Sequence, residues 1–217
     1  MKFRRKSAET EPGTGPETGS EVDDSVESGT GPTSGPYDID DLPDDGVPRM
    51  DLGSMLIAPA EGSEVRLQVD DETEAVQAVL LAGADGALEL RAFAAPRNGD
   101  LWGEVRPRLA ADFAQRGGTA DEREGRFGTE VLGQLTVQGP DGNPAVQPSR
   151  IIGVNGPRWM LRATLLGRPA VEPETAGAWE DAIARVAVRR GSEPMPAGAE
   201  LPLSLPRDVS FIEHPST

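Results

Sequence analysis

The sequence contains no cysteine, and this absence is the first limit on its chemistry. Without thiols there can be no disulfide, no thiol catalysis and no cysteine-ligated metal centre. The single histidine, His214, lies near the C-terminus beside Pro215, so a Ser-His-Asp triad and a histidine-based zinc site are not expected. No lysine follows Lys6, which excludes a Walker A phosphate loop. We therefore predict no catalytic residue, no metal site and no cofactor.

Long apolar runs are also missing. No stretch approaches the roughly eighteen consecutive apolar residues of a membrane-spanning helix, and the basic start at residues 2–6 is not followed by the apolar region of a signal peptide. We expect a cytoplasmic protein. The formal net charge of −16 repels phosphate backbones and anionic lipid, which argues against nucleic acid and membrane surfaces as partners. A protein partner stays possible, and the oligomeric state is open.

Much of the negative charge lies at the N-terminal side. Between Ser7 and Pro48 there are twelve acidic residues and no basic residue, with few apolar side chains before Tyr37. Such a segment buries too little surface to offset the entropy of ordering it. We therefore predict a disordered acidic arm over residues 1–48. Its last third differs, because Tyr37, Ile39 and Leu42 place sizeable side chains among the acids.

After Pro48 the sequence becomes richer in apolar residues. Apolar runs and alternation of apolar with polar residues predict strands joined by short turns. The predicted elements are strands at 65–69, 75–81 and 88–94, a helix from Asp100 to Gly117 with Pro107 either kinking it or marking a late start, strands at 119–123, 131–137, 146–154 and 158–166, and a helix from Pro173 to Gly191. This order predicts an α+β fold with a mainly antiparallel sheet and two packed helices, on one face or one on each. We expect one domain over residues 49–192 and an extended Pro-rich tail over 193–217.

Three tryptophans invite a ligand-stacking interpretation, but their spacing favours the core. Trp102 and Trp179 fall on apolar stripes of the predicted helices. Trp159 shares its strand face with Leu161 and Ala163. We expect all three to be buried.

Three arginines are the candidate binding residues. Arg158 and Arg162 share one face of a predicted strand, and Arg150 lies in the partner strand of the same hairpin, across a turn at 155–157. Guanidinium groups match carboxylates in two-point geometry, so these residues could bind a carboxylate or an acidic peptide. They could equally form a solvated outer face that pairs with local acids.

The apolar part of the arm suggests an occupant for that surface. We expect the segment 37–42 to dock on the domain, with Tyr37 as an apolar anchor and Asp38, Asp40 or Asp41 facing Arg158 or Arg162. An arm seated in this way would act as a competitive lid. Otherwise, Tyr37 and its neighbours would extend into solvent.

Three segments give the sequence a resemblance to a known family. They are Gly35-Pro36-Tyr37-Asp38, then Arg49-Met50-Asp51-Leu52-Gly53-Ser54, and then Gly153-Val154-Asn155-Gly156-Pro157-Arg158-Trp159-Met160-Leu161-Arg162. Over about Gly35 to Pro206, the chain resembles an actinobacterial family of uncharacterised proteins, a domain of unknown function. The resemblance implies a cytosolic single-domain protein and brings no activity to transfer. The element order also loosely resembles the α/β/α sandwich of the Mog1/PsbP-like group, whose members mostly bind proteins.

The expected function is therefore a binding or regulatory module. It would engage another protein through the arginine-bearing sheet face, the acidic arm, or both. The alternative is an enzyme or small-ligand protein in which Arg158 and Arg162 hold an anionic ligand.

Overall fold

The fold is built from eleven strands and three α-helices within residues 35–70, 76–139 and 142–205, which the computed structural model describes. In chain order the strands are β1 (Tyr37–Asp38), β2 (Met50–Asp51), β3 (Met55–Ile57), β4 (Glu64–Val69), β5 (Val76–Ala82), β6 (Gly86–Ala94), β7 (Thr119–Gly125), β8 (Gly128–Gln138), β9 (Pro144–Gly156), β10 (Trp159–Gly167) and β11 (Ala187–Val188). The helices are α1 (Leu101–Gln115), α2 (Arg168–Val171) and α3 (Gly177–Ala184).

Seven strands form one large antiparallel sheet in the order β4-β5-β6-β10-β9-β8-β7. Because side chains alternate along a strand, the two faces carry different cores. Leu90 and Leu161 belong to the larger cluster, which includes Ile183 of α3. Phe93 and Met160 belong to a second cluster, which includes Trp102 of α1. We call these the α3 face and the α1 face of the sheet.

A second, smaller sheet has the order β1-β11-β3-β2. β11 pairs antiparallel with β3 and parallel with β1, so the first and last short strands of the fold lie side by side. Met55, Ile57 and Val188 are buried in the same cluster as the α3 face of the large sheet. The small sheet therefore brings residues from both ends of the domain against that face.

Helix α1 begins where its sequence provides a cap. The Asp100 carboxylate accepts a hydrogen bond from the Gly103 backbone N–H at 2.8 Å, which satisfies one of the free donors of the first turn. The helix continues through Pro107 to Gln115, so a late start at that proline is wrong. Phe113 near its end is buried against the sheet.

The predicted α+β class is confirmed, with a mainly antiparallel sheet that packs α1 on one face and the short α2 together with α3 on the other. The three tryptophans are buried as expected. The long final helix is wrong in extent: a 3-10 turn spans Pro173–Thr175, α3 ends at Ala184, and Ala187–Val188 is a strand. The chain leaves the helix there because pairing with the strands at Tyr37 and Met55 satisfies the backbone groups of Ala187 and Val188.

Two expectations fall partly or wholly outside the described residues. Of the acidic arm expected over residues 1–48, residues 1–34 lie outside the described residues, whereas residues 35–48 are described and include β1 and a 3-10 turn at Ile39–Asp41. His214 lies in the final segment, outside the described residues. Residues 193–205 include a turn in which Ala199 donates its N–H to the Pro196 carbonyl, and Leu201 donates its N–H to the Ala92 carbonyl and is buried. None of the helices among the described residues has the length and apolarity needed to cross a membrane.

Candidate functional site

Two of the three segments that carry the family resemblance are joined by a hydrogen bond in the structure. The carboxylate of Asp38 accepts a hydrogen bond of 2.7 Å from the indole N–H of Trp159, across 121 positions of the chain. Trp159 is only 1% exposed. A buried indole N–H needs an acceptor, and the N-terminal segment supplies it.

The segment that bears Asp38 is seated in the small sheet. The Tyr37 N–H donates to the Val186 carbonyl at 2.9 Å, and Asp38 pairs with Val188. The other carboxylate oxygen of Asp38 accepts from the Asp40 N–H at 3.1 Å and caps the short 3-10 turn Ile39–Asp41. The segment Tyr37–Asp41 therefore lies on the domain, as expected, although Asp38 contacts a tryptophan rather than an arginine.

Beside this segment lies an open groove of about 630 Å³, which we call the arginine groove. One wall is acidic and comes from the docked segment; the other comes from the turn between β9 and β10 and from the residues after β11. Its lining residues are Asp38, Ile39, Asp40, Asp41, Pro157, Arg158, Arg189, Arg190, Gly191 and Ser192. Asp40 and Asp41 are exposed, and among the described residues neither forms an ion pair within 4.0 Å.

Arg158 reaches the groove from a two-residue turn. Pro157 and Arg158 connect β9 to β10, and Arg158 has a φ of 61°. This is the left-handed region, which a turn of this kind normally fills with glycine or asparagine. A non-glycine residue there costs on the order of 1–3 kcal/mol, and such residues cluster at binding sites. Within the described chain, its guanidinium has no hydrogen-bonding or ion-pair partner.

Arg189 and Arg190 follow β11 and differ in their partners. Arg189 makes a two-point contact with the Asp51 carboxylate at 3.0 and 3.1 Å, and donates to the Gly53 carbonyl at 2.6 Å. These bonds fix the strand end beside the groove. Arg190 donates only to the Glu193 backbone carbonyl, at 3.1 Å, and its Nε is buried with no acceptor among the described atoms. Arg190 thus has no carboxylate partner.

Arg150 lies away from this groove. It is 2% exposed, and its guanidinium binds Glu130 at 2.7 Å and Glu180 of α3 at 2.6 Å. Glu130 also holds Arg123 at 2.8 Å. Through Glu180, this network links the sheet to α3. Removing one member would leave a buried charge uncompensated, which is costly. A structural role fully occupies Arg150 Nε and Nη2.

The separation of Arg150 from Arg162 follows from the register of the hairpin. A turn at 155–157 would place Arg150 opposite Arg162, but the actual turn pairs Arg150 with Leu165 and Arg162 with Gly153. The partner of Arg150 thus shifts by three positions, from Arg162 to Leu165. Because side chains alternate along a strand, an odd shift moves the Arg150 side chain to the other face of the sheet. Arg150 therefore points to the α3 face, and the expected shared surface of the three arginines is not present.

Arg162 lies on the α1 face among its own partners. Its guanidinium stands 5.1 Å from the centroid of the Phe93 ring and 3.9 Å from the Glu89 carboxylate. Burial lowers the pKa of Arg162, partly opposed by Glu89. Arg91 is directly opposite in β6 and pairs with Glu89 and Glu200. Glu89 and Glu200 thus balance the charges of Arg91 and Arg162.

The sequence missed Arg189 and Arg190 as site residues. Both fall inside the predicted helix from Pro173 to Gly191, where basic residues near the C-terminus suit the helix dipole. The proline-free run Val186-Ala187-Val188, with its β-branched valines, was the signal that could have indicated a strand end there. The groove is a place for guanidinium–carboxylate contacts; for metals, the described residues offer no cluster of three acidic or histidine ligands.

Comparisons with known proteins identify a family and little else. Residues 35–211 match the family described as "Protein of unknown function (DUF3710)". No curated protein matches the chain. A crystal structure from Bacteroides thetaiotaomicron VPI-5482 at 1.50 Å resolution is similar with 14% identity and a TM-score of 0.38, over 66% of this chain and 48% of that chain. The chain therefore spans about half the length of that protein.

Proposed function

The chain belongs to the DUF3710 family of proteins of unknown function, and from its geometry we propose that it is a cytoplasmic binding module. The arginine groove takes an acidic segment of a partner protein. Arg158 and Arg190 hold the carboxylates of that segment.

One observation carries this proposal: two arginines without a carboxylate partner line the same groove. Most described arginines pair with a nearby acid, as Arg189 does with Asp51. Among the described residues, no acid lies within ion-pair distance of Arg158 or Arg190. The Arg158 guanidinium and the Nη2 group of Arg190 have no partner among the described residues, so they can donate to a carboxylate from another molecule.

The shape of the groove favours a peptide segment over an enclosed small molecule. The groove is open, and its lining includes the exposed residues Gly191 and Ser192. A second groove of about 440 Å³ shares Arg189–Ser192 with the first and continues toward Met195. Together they give an extended chain room on both sides of the Arg189–Ser192 segment.

The alternative function was a small anionic ligand held by Arg158 together with Arg162. Arg162 lines neither groove, and its charge is balanced by Glu89 on the α1 face. The geometry therefore gives this pair no shared site. A small anion held in the arginine groove itself is a possible outcome of the test below.

Peptide binding tests the proposal directly. A fluorescein-labelled acidic peptide is titrated with the full chain, beside a neutral version in which each carboxylate is replaced by its amide. The acidic peptide is expected to bind at least about tenfold more tightly. Arg158→Ala/Arg190→Ala should weaken that binding about tenfold, because exposed ion pairs contribute up to about 1 kcal/mol each.

The matched control removes the same charge elsewhere. Arg97 and Arg108 are exposed and line neither groove, so Arg97→Ala/Arg108→Ala should leave binding within about twofold. Equal losses in both double variants would mean that net charge alone decides binding, and the groove would be set aside. A large rise in melting temperature with a dicarboxylate or a sugar phosphate, and displacement of the peptide by it, would favour a small-anion site.

A further inference from the structure

We propose that the chain's own segment Tyr37–Asp41 is a built-in competitor for the arginine groove. A partner then binds by presenting a segment of the same chemistry in its place. This inference rests on the proposed function of the groove, and it names the partner's pattern: an aromatic residue, then a carboxylate, an apolar residue and two further acids.

The contacts of the docked segment define what the site recognises. The site accepts one backbone N–H at the Val186 carbonyl, which is the main-chain contact of an added strand. It donates the Trp159 indole N–H to a carboxylate one residue later. It then places two exposed acids, Asp40 and Asp41, along the groove.

The segment is held by few groups, so it can be replaced. β1 comprises only two residues, Tyr37 and Asp38, at the edge of the four-stranded sheet, and every side chain from 37 to 41 is partly or fully exposed. Its acids do not reach Arg158 or Arg190 as ion pairs. The arginines are thus left for a segment that reaches further into the groove.

Trp159 restricts which segment can take over. When Asp38 leaves, the buried indole N–H loses its acceptor, and a buried donor without a partner is costly. Only an incoming segment that presents an acceptor at that position restores the bond. A peptide without an acceptor at that position fails at Trp159, and a neutral or basic peptide gains nothing from the arginines, which gives the site selectivity for acidic segments.

The strength of the competition can be estimated from the tether. A short linker holds the segment near its site at an effective concentration on the order of millimolar. A free peptide with a dissociation constant of about 0.1 mM would then bind the intact chain about tenfold more weakly than a chain without the competitor. That factor is the expected size of the effect.

The experiment uses the full chain and a labelled peptide that copies residues 35–41 and continues with additional acidic residues, so that it can reach Arg158 and Arg190. The variant Asp38→Ala/Asp40→Ala/Asp41→Ala weakens the internal competitor, and fluorescence anisotropy compares its affinity for the peptide with that of the wild-type chain. The variant should bind about tenfold more tightly. Adding Arg158→Ala/Arg190→Ala to it should abolish the gain. A melting curve checks that each variant is folded.

A milder variant keeps the test decisive if the triple variant unfolds. Asp40→Ala/Asp41→Ala leaves the Asp38–Trp159 bond in place and should still bind the peptide more tightly than wild type does, by about threefold. Equal affinity in wild type and variants, with binding lost in Arg158→Ala/Arg190→Ala, would overturn the competitor but leave the groove's function standing. No binding to any of these chains would overturn both.

Discussion

At the scale of single residues, the motif from Gly153 to Arg162 is explained by close packing rather than by chemistry. A Cβ on Gly153 would collide with the Trp102 ring, and one on Gly156 would collide with the Trp159 ring. The side-chain oxygen of Asn155 accepts a hydrogen bond from the backbone N–H of Trp102 at 3.1 Å, and its side-chain nitrogen donates to the Asp100 carboxylate at 2.8 Å. The motif therefore seats two tryptophans on opposite faces of one hairpin, whereas the Arg158 guanidinium has no partner among the described residues.

The Asp38–Trp159 hydrogen bond gives a residue-scale prediction. In the full chain, Asp38→Ala should lower the free energy of unfolding by about 1–3 kcal/mol, because the buried indole N–H loses its charged acceptor. Asp44→Ala removes the same charge from an exposed position nearby and should change stability by less than about 0.5 kcal/mol. Urea titration followed by circular dichroism measures both. Equal effects would show that the indole finds another acceptor.

At the scale of elements, the cap of α1 predicts a pH dependence. The hydrogen bonds from Gly103 and Asn155 lower the pKa of Asp100 below its ordinary value of 3.8. A carboxyl with a lowered folded-state pKa stabilises the fold above its unfolded pKa and loses that contribution as pH falls through the folded value. Asp100→Ala should therefore cost about 0.5–2 kcal/mol at neutral pH, and the gap to wild type should close as the pH falls below 3.8.

The measurement compares unfolding free energies at several pH values. Asp112→Ala is the matched control, because Asp112 lies on the same helix and only its exposed ion pair with Arg116, at 3.4 Å, is lost. That change should cost a few tenths of a kcal/mol. A gap between Asp100→Ala and wild type that stays constant into acid would mean that the carboxylate's charge does not stabilise the cap.

Local patterns were enough for the elements whose partners are close in sequence. An apolar run at 75–81, a turn sequence at 83–86 and a strand at 88–94 indicated the hairpin 76–94, and the capping residue Asp100 indicated α1. They were not enough where distant segments decide. Val186 to Val188 continued a helical pattern, and only their pairing with residues near Met55 and Tyr37 makes them a strand. The same limit applied to Arg150, whose face of the sheet depends on the turn lying at residues 157–158 rather than at 155–157.

At the scale of the whole molecule, the candidate site depends on sequence segments that no local pattern connects. The docked segment Tyr37–Asp41, the arginines after β11 and the turn at Arg158 come from both ends and the middle of the domain. Composition placed residues up to Pro48 in an arm, because their acids outnumber their apolar groups. The backbone bond of Tyr37 and the carboxylate bond of Asp38 provide what composition cannot show.

Two truncations separate the acidic arm from the docked segment. The first chain starts at Thr33, so that its new charged terminus stays away from the buried residue Gly35. We expect the melting temperature of this chain to stay within about two degrees of that of the full chain, because residues with the composition of 1–32 contribute little buried surface.

A chain that starts at Arg49 loses β1, the Asp38–Trp159 bond and the two-point contact between Asp45 and Arg49. For a domain of this size, about 1 kcal/mol corresponds to roughly 2–4 °C, so the second truncation should lower the melting temperature by at least about five degrees. Differential scanning calorimetry of the three chains measures this. A drop of about ten degrees on removing only residues 1–32 would show that they pack on the domain, and an unchanged temperature on starting at Arg49 would show that the docked segment contributes no stability.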